Sequence, residues 1–195
     1  MNYLAHLFFA EDTSESRVGN LMVDFVRGPV QRQPYSDEIM RAMRRHVAVD
    51  RFTDEHKVVH ASKSLISRSR RRFAGIIVDV CYDHFLANHW SDFSKMELSV
   101  FVERNYESFR NYRGQLPSAM SRTISRMIEH DWLQGYQELS GIGRTLDGLS
   151  TRIRKPNTLV GSLEELKDNY GEMEEQFLHF FPELIQHMGK QVDDG

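Results

Sequence analysis

The chain has 195 residues, with 25 lysines and arginines against 28 aspartates and glutamates and a formal net charge of −3. That balance gives no bulk attraction to nucleic acid, and the length suits one domain with a sizeable core. The single cysteine, Cys81, excludes an internal disulfide and fits a reducing compartment. The opening MNYLAHLFFA lacks a basic n-region and carries His6, so it is a poor signal peptide. No run approaches the roughly 20 apolar residues of a membrane span. A cytoplasmic protein with no membrane and no nucleic-acid partner is expected.

Apolar residues recur mostly at three and four, and only five prolines interrupt them, which argues for a mainly helical protein. A short helix is expected near residues 3–10. Ser14 is a fair N-cap for a second, over 14–26, stopped by Gly28 and Pro29. Ser36, with Asp37 and Glu38 behind it, starts a third that runs to about residue 66 with a break near Thr53. Further helices are expected over 70–88, 98–113 and 117–133, with Pro117 in the first turn of the last. Gly141, Gly143 and Gly148 weaken the segment after Leu139, and RKPN at 154–157 reads as a linker turn. A final helix spans 163–186, bent at Pro182, and the closing DDG frays. The fold class is therefore all-α: a single-domain helical bundle over 1–195.

Ionisable residues stand out in two of these helices. His46, Asp50 and Asp54 are spaced by four, which puts an imidazole and two carboxylates on one face. Asp79 and Asp83 repeat the spacing inside IIVDVCYDHFLANHW, the most apolar helix, with His84 beside Asp83 but about 100° round the axis. Asp24 lies among Leu21, Met22, Val23 and Phe25, and His6 in the equally apolar NYLAHLFF. A buried carboxylate is costly unless paired or bound to a metal. Several of them on different helices are most economically explained by a shared centre. Mixed carboxylate and imidazole ligands suit Mn²⁺, Mg²⁺ or Fe²⁺ better than a thiolate-rich zinc site, and Cys81 faces away from both aspartates.

Ordinary explanations compete. Arg44, Arg45, Arg51 and Lys57 could pair with Asp50 and Asp54 on a solvated face, and His6 could be a hydrogen-bonded core histidine. His89, beside Trp90, suits capping or packing; His56, His60, His130, His179 and His187 read as surface or packing positions. GxGxxL at 141–146 follows no strand, so it is not a dinucleotide fingerprint. Three basic clusters, Arg41/Arg44/Arg45, Arg68/Arg70/Arg71/Arg72 and Arg152/Arg154/Lys155, are either plain surface charge or a local positive field for a phosphate or an acidic partner.

Four blocks taken in order, NYLAHLFFA, GNLMVDFVRG, HVAVDRFTD and DVCYDHFLANHW, together with a closing FxxFFP, resemble the bacterial acyl carrier protein phosphodiesterases through nearly the whole chain. The basic block near 150–155 is looser than the family's, and Phe8 and Phe9 are bulkier than its usual residues. The resemblance implies an all-helical, divergent HD-type fold. It implies a metal-dependent hydrolase, with Mn²⁺ favoured, that removes 4′-phosphopantetheine from holo acyl carrier protein. The family's site residues fall on His6, Asp24, His46, Asp50, Asp54, Asp79, Asp83 and His84. The expected metal ligands are Asp24, His46, Asp50, Asp83 and His84. Asp24, Asp79 and His6 are expected to act in catalysis: a carboxylate off the metal as base or orienting group, and His6 or His89 as proton donor. Arg27, Arg45, Arg68, Arg70, Arg71 and Arg72 are expected to hold the phosphate or the acidic carrier protein. The rival readings are a phosphohydrolase of a nucleotide or other small phosphodiester, and a non-catalytic carrier-protein binding module.

Overall fold

Helix assembly follows from where the apolar residues fall. The computed structural model describes residues 1–28, 34–153 and 156–192, and among them it shows twelve α-helices and no strand. In chain order these are α1 (Tyr3–Phe8), α2 (Ser14–Met22), α3 (Asp37–Glu55), α4 (Lys57–Leu65), α5 (Ala74–Asn88) and α6 (Trp90–Phe93). Then come α7 (Leu98–Asn111), α8 (Ser118–Glu129), α9 (Trp132–Gly135), α10 (Leu139–Arg152), α11 (Leu163–Asp168) and α12 (Tyr170–Val192). None of these helices is long and apolar enough to cross a membrane.

α5 is buried on nearly every side, from Ile77 and Val78 through Tyr82 and Phe85 to Ala87, because its sequence is apolar all round. α1, α4, α10 and α12 pack around it. α12 supplies Phe177, Phe180 and Phe181, all buried, so FLHFFPEL is a packing stripe, and the helix continues through Pro182. α2 lies closely on α3 because Gly19 has no side chain. A Cβ there would stand 2.6 Å from the Ala42 Cβ and 2.8 Å from the Ile39 carbonyl. That approach lowers the last turn of α2 onto the face of α3 that carries His46.

Several boundaries differ from expectation. The long helix begun at Ser36 breaks at His56, whose ring accepts the Val58 N–H and so caps α4. α2 stops at Met22, and a 3₁₀ turn over Val23–Phe25 carries Asp24. Asp131, in the left-handed region at φ 47°, separates α8 from α9. Asn169 divides the last helix into α11 and α12. The glycine-rich segment after Leu139 is a full helix, because a residue without a side chain is needed at its start: a Cβ on Gly141 would lie 1.9 Å from the Gly135 carbonyl. Pro29, Arg154, Lys155 and the DDG tail lie outside the described residues.

Candidate functional site

α3 delivers His46 and Asp50 to one face, four residues apart, and the short α1 brings His6 over them. His46 Nε2 is 3.0 Å from Asp50 Oδ2, and His6 Nε2 is 3.2 Å from Asp50 Oδ1. The two imidazoles stack, centroids 3.7 Å apart and planes within 8°. Both rings are buried, while the Asp50 side chain is 42 % exposed. Ligand atoms of these three residues lie within 4.8 Å of one another, an arrangement that fits a metal ion, and no other such group occurs among the described residues.

The surroundings set the tautomers. The Asn20 carbonyl, 2.5 Å from His46 Nδ1, can only accept, so Nδ1 carries the proton and Nε2 is directed at the carboxylates. Asn20 is where it is because Gly19 lets α2 touch α3. Asp24 Oδ1 is 3.7 Å from His46 Nε2, at the mouth of a cavity of about 240 Å³ lined also by His6, Asp50, Asp54, Asp79 and Leu149. The Met1 ammonium closes one side, 2.9 Å from Asp79 Oδ1 and 3.7 Å from Asp50 Oδ1. His6 Nδ1 is buried with no hydrogen-bond partner.

Charge in this cluster is strongly coupled. Burial opposes ionisation of Asp50, but the hydrogen bonds from His46 and His6 win and hold its carboxyl far below the usual range. Burial and the neighbouring His46 push His6 down to about 4, so its ring is neutral near pH 7. For His46, burial also opposes charge, but Asp50 and then Asp24 raise its pKa. Burial raises the Asp24 carboxyl, with His46 pulling it back, and the 47 % exposure of its side chain limits the effect.

The structure does not bring Asp83 and His84 into this cluster. Asp83 accepts the backbone N–H groups of Leu4 at 2.7 Å and of Asn2 and Ala5 at 3.3 Å, so it caps α1 from below. Burial pushes its carboxyl up to about 7, while the Met1 ammonium and these three bonds work the other way. His84 donates Nδ1–H to the Tyr136 carbonyl at 2.7 Å and faces the Tyr170 hydroxyl with Nε2 at 3.0 Å, leaving no nitrogen for an ion. His89 lies between Glu174 and Asp92, which fits packing rather than proton donation.

The expected ion pairs also redistribute. Asp54 meets Lys63 of α4 and Arg51 meets Glu55, so neither Asp54 nor Arg51 makes the expected pair beside Asp50. Arg45 braces the end of α1 through the Phe9 carbonyl and Glu11. Arg70 is held by Glu165 and the Thr158 carbonyl, and Arg71 by the Ser64 carbonyl. Arg72 stacks over Phe73. Arg27 and Arg68 are exposed. Sequence reasoning missed the Asn20 carbonyl and the Met1 ammonium. Backbone groups and a chain terminus leave no residue-type signal; only Gly19, one residue before Asn20, hints at the close approach.

The whole chain is similar to one known family. The family model described as acyl carrier protein phosphodiesterase matches residues 1–184. The curated acyl carrier protein phosphodiesterase of Serratia proteamaculans is 34 % identical over 187 residues, covering 95 % of this chain and 96 % of that protein. The protein of the same name from Yersinia pestis is 33 % identical over 194 residues, covering 98 % of this chain and 100 % of its own. No solved structure matches significantly.

Proposed function

Because this chain belongs to the acyl carrier protein phosphodiesterase family, we propose that it hydrolyses the phosphodiester between 4′-phosphopantetheine and a serine of holo acyl carrier protein, using a divalent metal held by His6, His46 and Asp50. The observation that supports this most is the convergence of two stacked, buried imidazoles on one ionised carboxylate at the floor of an open cleft. A divalent ion bound there would lower the pKa of a bound water and offset charge on the phosphoryl oxygens, and the oxygen and nitrogen donors suit Mn²⁺, with Mg²⁺ or Fe²⁺ as alternatives.

The chain's own groups divide the remaining work. Asn20 fixes the His46 tautomer, and Asp50 ties both imidazoles into one unit. Without an ion, neutral His6 can give an Nε2–H to Asp50; with an ion bound, that nitrogen would turn its lone pair to the metal, so in neither state is His6 placed to protonate a leaving group. Asp24, at the mouth and with a raised carboxyl, takes the proton from the attacking water. The water oxygen bonds to phosphorus, the bond from phosphorus to the serine oxygen breaks, and that oxygen, opposite the attacking water, takes a proton from solvent. The products are apo carrier protein and 4′-phosphopantetheine. Asp79, beside the Met1 ammonium, balances charge at the far wall. Exposed Arg27, three residues past Asp24, and exposed Arg41 and Arg44 on α3 offer positive charge to an acidic carrier protein, so association weakens with salt. The reaction belongs in the cytoplasm, and the all-helical frame with its histidine–carboxylate set is in keeping with a divergent HD-type fold.

Intact-mass spectrometry of holo acyl carrier protein, incubated with the enzyme and Mn²⁺, tests this directly. The expected result is loss of the phosphopantetheine mass, abolished by chelator. An unchanged carrier protein with and without metal sinks the proposal, and loss that survives chelation sinks its metal-dependent part.

A further inference from the structure

Gly141, Arg144, Thr145, Gly148 and Leu149 recur at three and four, so they share one face of α10. The opposite face, with Ile142 and Leu146, is in the core. The glycine-bearing face borders a second cavity of about 510 Å³, closed across from it by Tyr3 of α1 and by Trp132 and Gly135 of α9. That volume lies within the roughly 300–1,000 Å³ of ligand-sized sites. The charged cluster described above does not line it.

This cavity is shaped by specific local choices. Gly141 lets α10 meet the Gly135 carbonyl, while a Cβ on Gly135 or Gly148 would meet nothing within 4 Å, so both glycines leave room. The turn that presents Trp132 is pinned: the Tyr106 hydroxyl donates to Asp131 at 3.0 Å and accepts the Leu133 N–H at 3.0 Å. That holds Asp131 in a left-handed conformation unusual for a residue other than glycine. Arg144 is exposed on the wall and has no ion pair among the described residues. Most important, Leu149 lines both this cavity and the cleft that holds Asp24 and Asp50, so the two adjoin at that residue.

We infer that this second cavity receives the pantetheine arm of the substrate, an inference that rests on the phosphodiesterase reading of the neighbouring cleft. The arm begins at the scissile phosphate and so must leave the cleft on one side. Leu149 is where a ligand-sized cavity adjoins the cleft. The arm's geminal methyl groups and its thiol end suit walls of Tyr3, Trp132 and Leu149. Its amide carbonyls accept from the exposed guanidinium of Arg144. Gly148 of α10 and Gly135 of α9 leave space that a side chain would fill.

The test is to fill the cavity from the open glycine and read binding and turnover separately. Calorimetry measures 4′-phosphopantetheine binding to wild type, Gly148→Phe and Arg144→Glu. Kinetics compare holo acyl carrier protein with a small aryl phosphodiester that has no arm. Expected is weaker 4′-phosphopantetheine binding in both variants, and a fall of about tenfold or more in the ratio of carrier-protein to small-diester turnover for Gly148→Phe. If wild type cleaves the carrier protein and neither variant changes binding or ratio, the cavity assignment is wrong and the function stands. If wild type cleaves nothing but binds 4′-phosphopantetheine in a manner sensitive to Gly148, the function is wrong and the cavity stands. Absence of both overturns both. Arg144→Glu, exposed on the wall, decides the matter should Gly148→Phe fail to fold.

Discussion

α3 and α5 carry the same residue types at the same spacing and use them for opposite ends. On α3, Asp50 lines a cleft and binds buried His46 while staying reachable by solvent. On α5, Asp79 reaches the cleft, but Asp83 and His84 point into packed structure and satisfy backbone and phenol groups instead. The difference lies in what surrounds each helix. α3 is amphipathic and leaves one flank to solvent, whereas α5 is enclosed on nearly all sides. Spacing places side chains on a common face; it does not say whether that face meets a cavity or a neighbouring helix.

Breaking each side of this comparison should give different losses. Asp50→Asn should lower metal-supported turnover by more than the roughly 10–100-fold typical of groups one step removed from an ion. Asp83→Ala should instead lower unfolding free energy by about 3 kcal/mol, since it strands two buried N–H groups, of Leu4 and Ala5, and the partly buried one of Asn2. Denaturant melts and metal titration of both variants decide between the roles. An Asp83→Ala protein with normal stability and no metal affinity would reverse the assignment.

A pH series on the metal-free protein sharpens the contrast further. His6 is held near 4 in the folded chain against an ordinary 6.5, so the folded state resists protonation there. Its stabilising effect is complete above about pH 6.5 and is lost as pH falls towards 4, by roughly 2–3 kcal/mol. The stability gap between wild type and His6→Gln should therefore narrow across that window. A gap independent of pH would show that His6 titrates normally. Gly19→Ala should cost about 1–3 kcal/mol by forcing α2 from α3. It should also loosen the Asn20 hold on His46, visible as altered imidazole nitrogen shifts in NMR.

The all-helical class and the existence of most helices were legible because apolar periodicity and caps such as Ser36 act locally. The α3 half of the site was legible for the same reason. Less so were the glycines of α10, of which Gly141 is needed for the close approach of the Gly135 carbonyl despite its weak helix propensity. The fates of Asp83 and His84 depend on α1, on Tyr136 and on Tyr170, all distant in sequence. Arg70 read as a free charge because Glu165 lies 95 residues away.

α1 is only six residues long and carries His6 in its middle. A peptide that short has no helical stability of its own. It holds its shape only while docked on α5, with its first N–H groups on the Asp83 carboxylate. His6 is thus delivered by an element that exists in one place or not at all. The cleft is complete only while residues 4 and 83 are in contact. Amide exchange at Leu4 and Ala5 would then report directly on how often the site comes apart.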